Sequence, residues 1–305
     1  MNRNDSATKT PSARRSTIPT VLTSFVGRKR DIAEVRRLLV SSRLVTLTGA
    51  AGCGKTRLAL RVAKGVAPRY ADGIHWVELA RLADPALIPQ TIAKVLHVTE
   101  QPGRPTVEGL LDALHDRHLV LVLDNCEHVL SACTQLVETL LAGTEAIILA
   151  TSREPLGVTG EMRYPVPPMA LPPLTLPPDE MGQYDAIQLF VERARAIVPD
   201  FALTTDNAAA VAGICHHLDG MPLAIELASA RANVLTVEQI AARLDDRFRL
   251  LGTAPHVTYS HHRSLRAAMD WSYDFLATPE QVLLRRLSVV AGGCSLATAE
   301  TICAG

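Results

Sequence analysis

Short apolar runs alternate with longer amphipathic stretches along the first half of the chain. The short runs have the composition of strands buried on both faces; they lie at 44–48, 74–79, 119–123 and 146–150, with 162–166 as a further candidate. The longer stretches have apolar residues at helical spacing, at 31–39, 57–66, 85–96, 106–115 and 127–141. Because strands that alternate with helices build βαβ units, the pattern predicts an α/β domain with a doubly wound, mostly parallel sheet.

A proline-rich segment separates this pattern from a purely helical one. Seven of the 14 residues from 165 to 178 are proline, which fixes φ and removes backbone donors. We therefore predict a semi-rigid linker and a domain boundary there. Beyond it the strand-like runs stop, and helical spacing recurs at 185–197, 206–218, 222–232, 237–244 and again after 278. The second half of the chain is predicted to be all-α.

The first strand leads directly into a glycine-rich loop of the form G-x-x-x-x-G-K-T. Its defining residues are Gly49, Gly52, Gly54, Lys55 and Thr56. Glycines let successive backbone N–H groups turn toward phosphate oxygens, the lysine ammonium lies on the β- and γ-phosphates, and the threonine hydroxyl can ligate Mg²⁺. A helix begins where the loop ends, and its N-terminal dipole favours an anion. The segment predicts a phosphate-binding P-loop.

Two further strands end on polar residues that suit the same site. Asp124 follows the run at 119–123, and a carboxylate at the carboxyl edge of the sheet can hold Mg²⁺ through water and Thr56. Arg153 follows the run at 146–150. If that strand lies between the other two, Arg153 reaches the γ-phosphate; otherwise it is a surface arginine.

The base for hydrolysis is left open by the sequence. Asn125 follows Asp124 at the position where many P-loop ATPases carry a glutamate that activates the attacking water. The nearest acid is Glu127, which either orients water or only stabilises the start of the next helix. The candidate catalytic residues are therefore Lys55, Asp124, Glu127 and Arg153.

Bulk properties narrow the class of protein. The chain has 305 residues, 48% hydrophobic and 20% charged, with a formal net charge of zero, so no global field draws it to nucleic acid or an anionic membrane. Its six cysteines form no C-x-x-C pair, which favours free thiols in a cytoplasmic protein. No apolar run approaches the ~20 residues of a membrane span. The polar first 20 residues lack a signal-peptide core and are predicted to be a disordered tail.

Taken together, the motifs resemble those of a known family, the NB-ARC-like STAND ATPases. The resemblance is strongest to the branch found in large actinobacterial LuxR-type and antibiotic-regulatory-type transcription regulators. It extends over about residues 20 to 305 and rests on motifs in a fixed order: Phe25-Val26-Gly27-Arg28, the P-loop, Leu121-Val122-Leu123-Asp124-Asn125-Cys126-Glu127-His128, Thr151-Ser152-Arg153 and Gly220-Met221-Pro222-Leu223-Ala224. The stretch 263–303 is similar to the start of that family's winged-helix region.

The resemblance implies roles for individual residues. Val26 and Gly27 would contact adenine with Arg28 nearby, and Arg153 would sense the γ-phosphate. Pro222 would pack on or near the base, although a plain helix start also explains it. The phosphates of ATP or ADP would bind along the loop and the first helical turn, at Gly49, Gly52, Cys53, Gly54, Lys55, Thr56 and Arg57. Mg²⁺ would bind beside them, at Thr56 and Asp124. The thiol inside the loop is either a small filler or an oxidisable group.

The expected organisation has five parts. They are a disordered tail (1–20), a P-loop nucleotide-binding domain (21–166), a proline-rich linker (167–180), a helical domain (181–250) and a partial winged-helix-like domain (251–305). The expected fold class is accordingly a P-loop NTPase, followed by an all-α domain and the start of a winged helix.

Three functions are compatible with these features. We favour a regulatory switch that binds ADP or ATP with Mg²⁺, hydrolyses ATP slowly and self-associates on ATP binding. An AAA-like motor would need a catalytic glutamate directly after Asp124, where this chain has Asn125. A direct DNA-binding regulator would need a basic reading helix, and none follows the helix-turn-helix-like spacing at 262–303. We expect DNA contacts only through regions absent from this chain, and no membrane contact.

Overall fold

A five-stranded sheet, all of its strands parallel, forms the first half of the molecule. The computed structural model describes residues 16–99, 101–251, 273, 276–290 and 294–303. The strands are β1 (Leu44–Thr48), β2 (Ile74–Glu78), β3 (Val120–Asp124), β4 (Ile147–Ser152) and β5 (Met162–Pro165), in the order β2-β3-β4-β1-β5. The predicted α/β P-loop fold is confirmed, and β4 lies between β1 and β3.

Helices cover both faces of this sheet. On one face lie α1 (Lys29–Ser41) and α2 (Lys55–Val66); on the other lie α3 (Ile88–Leu96), α4 (Thr106–Leu114) and α5 (Leu130–Gly143). Successive strand residues point to opposite faces, so Val120 and Val122 of β3 join the first core while Leu121 and Leu123 join the second. Burial on both faces is the reason that β3 is apolar at every position before Asp124.

A helical domain continues the core on the α1 and α2 side. It contains α6 (Pro178–Met181), α7 (Asp185–Arg195), α8 (Thr205–His217), α9 (Pro222–Ser229) and α10 (Val237–Leu251). One apolar cluster runs from the sheet through Met169 of the linker into these helices. Met169 N–H donates to Gly220 O at 2.8 Å, and Ala186 N–H donates to Ala170 O at 3.2 Å. The proline-rich linker is therefore attached to the helical domain at Met169 and Ala170.

Two predictions concern the chain ends. The disordered tail predicted over 1–20 extends too far, because Thr17 N–H donates to Ile74 O, and Ser16 Oγ accepts from Ile74 N–H at the edge of β2. The start of a winged-helix domain is not confirmed. Residues 252–272 of that region lie outside the described residues, and the rest includes α11 (Thr278–Leu287) and α12 (Leu296–Cys303). None of the helices in the described part of the chain combines the length and apolarity needed to cross a membrane.

Candidate functional site

The glycine-rich loop joins β1 to α2, and its glycines adopt positive φ angles. Gly49, Gly52 and Gly54 have φ values of 146°, 78° and 94°, which favour glycine. Lys55 is the first residue of α2, and its Nζ donates to Gly49 O at 2.8 Å and to Ala50 O at 3.1 Å. The buried ammonium thus lies inside the curve of the loop. A positive charge beside a helix N-terminus suits the phosphates of a nucleotide.

Asp124 lies at the carboxyl end of β3, next to this loop. Its Oδ1 accepts hydrogen bonds from Thr56 Oγ1 at 2.8 Å and from Thr151 Oγ1 at 2.6 Å. Burial raises the pKa of the Asp124 carboxyl; the two hydroxyl donors oppose this rise, and Glu78 and Glu127 add to it. Mg²⁺ usually keeps several waters and binds one or two carboxylates with phosphate oxygens, so this carboxylate and hydroxyl fit it.

Arg153 and Glu127 meet at the neighbouring strand end. Because β4 lies between β1 and β3, the end of β4 and the following Arg153 lie between the strand that leads into the P-loop and the strand that ends at Asp124. The condition on strand order is met, and the reach of Arg153 to a γ-phosphate stays a prediction. Its Nε lies 3.4 Å from Glu127 Oε1. Glu127 belongs to a single 3-10 turn, Cys126–Val129, and not to the start of α5 itself. Its carboxylate lies within ion-pair distance of the proposed sensor residue.

Gly27 and Arg28 connect the loop to the helical domain. Arg28 is buried, and its Nη2 donates to Cys53 O at 2.7 Å and to Pro167 O at 2.9 Å. Its backbone N–H donates to Asp185 Oδ2 at 2.8 Å. A Cβ on Gly27 would come within 2.1–2.4 Å of that same carboxylate. Arg28 therefore braces the loop, the linker and α7 together.

A cavity of about 190 Å³ opens beside the loop, between the two domains. Val26 and Gly54 line it from the P-loop domain, and Pro222 and Leu223 line it from α9. Leu223 N–H donates to Gly52 O at 3.2 Å, a direct link between the phosphate loop and the helical domain. The cavity is apolar near Val26 and Pro222, as a nucleoside base requires.

Charged side chains form the outer wall of this cavity. Arg57 donates to Thr23 Oγ1 at 2.6 Å and to Ser24 O at 2.6 Å, and burial lowers its pKa. Arg193 of α7 pairs with Glu226 of α9 at 2.8 Å and also donates to Ser24 O at 2.9 Å. The segment before Val26 is therefore fixed by one arginine from each domain.

Cys53 fills space and is not poised for reaction. It is buried, and burial raises the pKa of its thiol, which disfavours the reactive thiolate. A Cβ on Gly49 would lie 3.0 Å from its Sγ. These observations favour the interpretation of this thiol as a small packing group.

Four residues around the site were not assigned roles from the sequence. They are Thr151, Asp185, Arg193 and Leu223. Thr151 stands beside Arg153 and could have been found as a hydroxyl at a strand end. The other three come to the site from the helical domain, through contacts that no local spacing encodes.

Comparisons with known proteins agree with this architecture. The family model described as "NB-ARC domain" matches residues 28–172. The uncharacterized protein Rv0894 of Mycobacterium tuberculosis is 42% identical over 92% of this chain and 69% of its own length. From the same organism, "Putative HTH-type transcriptional regulator Rv0890c" is 43% identical over 89% of this chain but only 29% of its own length.

A solved structure shows the same fold at low sequence identity. The Signal Transduction ATPase with Numerous Domains (STAND) protein PH0952 from Pyrococcus horikoshii, which has a tetratricopeptide repeat sensor, matches with a TM-score of 0.55. It is 15% identical, and the match covers 95% of this chain and 38% of that one. Together with the 42% identical relative, the family model shows that this chain belongs to the family of proteins with an NB-ARC domain.

Proposed function

We propose that this chain is the nucleotide-controlled switch of a transcriptional regulator. The observation that carries the proposal is the contact of Leu223 N–H with Gly52 O at 3.2 Å, beside the cavity that both domains line. A ligand in the loop would therefore affect how α9 packs on it. A ligand shifts such an equilibrium only when it binds the two states with different affinity.

The proposed ligands are ADP or ATP with Mg²⁺. The loop from Gly49 to Thr56 would hold the phosphates, with Lys55 as their counter-charge, while Arg57 stands at the rim. The base would pack between Val26, Gly27 and Pro222. Thr56 and Asp124 would hold the cation, whose positive charge offsets that of the phosphates. Arg153 would distinguish ATP from ADP through the γ-phosphate.

Slow hydrolysis is part of the proposal. Asn125 stands where a catalytic glutamate would follow Asp124, and Glu127 is paired with Arg153. A positioned general base contributes ~10²–10⁴-fold in rate, so turnover without one should be well under ~10 s⁻¹. Self-association on ATP binding and DNA contact through regions outside this chain complete the proposal for a cytoplasmic regulator.

The identity of the bound nucleotide tests this proposal. The purified chain is denatured and the released small molecules are separated by chromatography, in parallel with steady-state phosphate release. Stoichiometric ADP with slow turnover is expected. An empty site with turnover of several per second that collapses in Glu127→Gln would favour a motor instead. A discrete, salt-resistant gel shift with the chain alone would favour direct DNA binding.

A further inference from the structure

One acidic residue beside the phosphate loop is not explained by the switch as described. Glu127 sits three residues after Asp124, and Asn125 before it has a left-handed φ of 70°, which turns the chain sharply at the end of β3. Glu127 Oε1 lies 3.4 Å from Arg153 Nε. Its Oε2 is buried and has no hydrogen-bond partner among the described residues.

We propose that Glu127 competes with the terminal phosphate of ATP for Arg153 and thereby sets the preference of the site for ADP. The inference rests on the proposed function, in which Arg153 reads the γ-phosphate. Carboxylate and phosphate oxygens offer a guanidinium the same kind of charge-assisted hydrogen bond, so one can replace the other. With ADP bound, nothing displaces Glu127; with ATP bound, the ion pair must open.

The ion pair between Glu127 and Arg153 can open, so that a phosphate oxygen replaces the carboxylate. The Arg153 side chain is 57% exposed while that of Glu127 is 19% exposed, so the guanidinium can move and the carboxylate is the fixed partner. Glu127 is also only half satisfied, because its buried Oε2 has no hydrogen-bond donor among the described residues. A buried carboxylate oxygen without a donor is costly. A strong, fully satisfied pair would lock Arg153 and prevent any reading of ATP.

The size of the effect follows from the exposure of the pair. Exposed ion pairs contribute ~0.2–1 kcal/mol, and each ~1.4 kcal/mol is tenfold in affinity. Opening the pair should therefore lower ATP affinity by about 1.5- to 5-fold and leave ADP affinity unchanged. Glu127 thus acts on Arg153 as a positioning residue and not as a base for water.

A double-mutant cycle isolates this role from simple charge repulsion. ATP and ADP affinities are measured by calorimetry with Mg²⁺ for the parent chain, Glu127→Gln, Arg153→Ala and the double variant. Glu154→Gln is the matched control. Glu154 lines the same surface pocket but forms no ion pair with Arg153 in the described structure, and its substitution also removes one negative charge. Glu127→Gln should raise ATP affinity 1.5- to 5-fold more than Glu154→Gln does. That gain should disappear in the Arg153→Ala background.

Two results would overturn the inference. One is a gain of equal size with and without Arg153, which would mean that Glu127 merely repels the phosphate through space. The other is no gain at all in Glu127→Gln. Failure of the proposed function looks different: Lys55→Ala would retain nucleotide, or Arg153→Ala would weaken ATP and ADP equally.

Discussion

At the scale of single residues, the phosphate loop depends on charges that the protein buries and satisfies itself. Lys55 donates to two loop carbonyls, and Arg28 donates to Cys53 O. Since a buried charge without partners is costly, both cations favour one loop conformation before any ligand arrives. Such preorganisation reduces the entropy lost on binding.

Replacing Lys55 tests the phosphate loop directly. Lys55→Ala should abolish nucleotide retention, because it removes the counter-charge on the β- and γ-phosphates. Loss of a nucleotide present at a hundredfold excess over its Kd removes ~2.7 kcal/mol of stability, so melting should fall by several degrees. Retained nucleotide and melting temperature are measured together. Lys64→Ala, at the exposed end of α2, should change neither quantity. Unchanged nucleotide retention in Lys55→Ala would contradict the assignment of this loop as the phosphate-binding site.

Asp124 should show a characteristic pH dependence. Burial raises its pKa in the folded state, so ionisation disfavours folding, and its stabilising contribution is lost as pH rises through that value. Without nucleotide or Mg²⁺, Asp124→Asn should therefore be more stable than the parent at pH 8, with the difference shrinking as pH falls. Denaturant melts at several pH values measure this. An exposed control, Asp200→Asn, should be neutral; a less stable Asp124→Asn at pH 8 would refute the argument.

Motif spacing predicts the residues at the loop, but not all of their partners. The P-loop is recognisable because its chemistry needs glycine, lysine and threonine within eight positions. By contrast, Asp185 reaches Arg28 across 157 residues, and no local pattern signals that contact. The sequence likewise left Glu127 between two roles, and the ion pair with Arg153 is a third.

At the scale of elements, periodicity predicted which segments are strands and helices, but less well where they begin and end. The helix predicted from 127 begins as α5 at Leu130, after a 3-10 turn. The sequence Thr278-Pro279-Glu280-Gln281 has the pattern of a capping box, which predicts that Thr278 caps α11 and that Gln281 reaches back to it. In the structure Thr278 is already helical, and Glu280 accepts from Ala277 N–H at 2.7 Å. Glu280 and Gln281 fit the sequence pattern of a capping box equally well, and only the backbone geometry determines which of them accepts the N–H.

The junction between the linker and α9 should be intolerant of any side chain. Gly220 has a φ of 63°, and a Cβ there would lie 2.4 Å from Met169 O. Gly220→Ala should therefore lose an additional ~1–3 kcal/mol beyond the cost of a positive φ, because the backbone must move. Gly103→Ala is the matched control, with a φ of 81° and nothing within 4 Å of the new Cβ. If urea unfolding shows equal losses of stability in the two variants, the close contact with Met169 O does not destabilise Gly220→Ala.

At the scale of the whole molecule, two predicted domains share one continuous core. The cluster that begins on the α1 and α2 face of the sheet continues through Met169 into α7, α8 and α10. Composition placed a boundary in the proline-rich segment, but proline content does not reveal whether a linker is free or packed. The packing of α9 onto the phosphate loop was expected only from the family resemblance, because it joins residues about 170 positions apart.

The central claim is that the nucleotide in the loop controls the contact between α9 and Gly52. Hydrogen exchange of peptides containing Leu223 measures it directly, because the Leu223 N–H donates to Gly52 O. The chain is saturated with ADP or with a non-hydrolysable ATP analogue, each with Mg²⁺. In the proposed switch, ADP holds the two domains closed and ATP opens them, so exchange at Leu223 should be slower with ADP than with the ATP analogue. Lys55→Ala should show no such difference. Identical exchange at Leu223 in the two saturated states would contradict it.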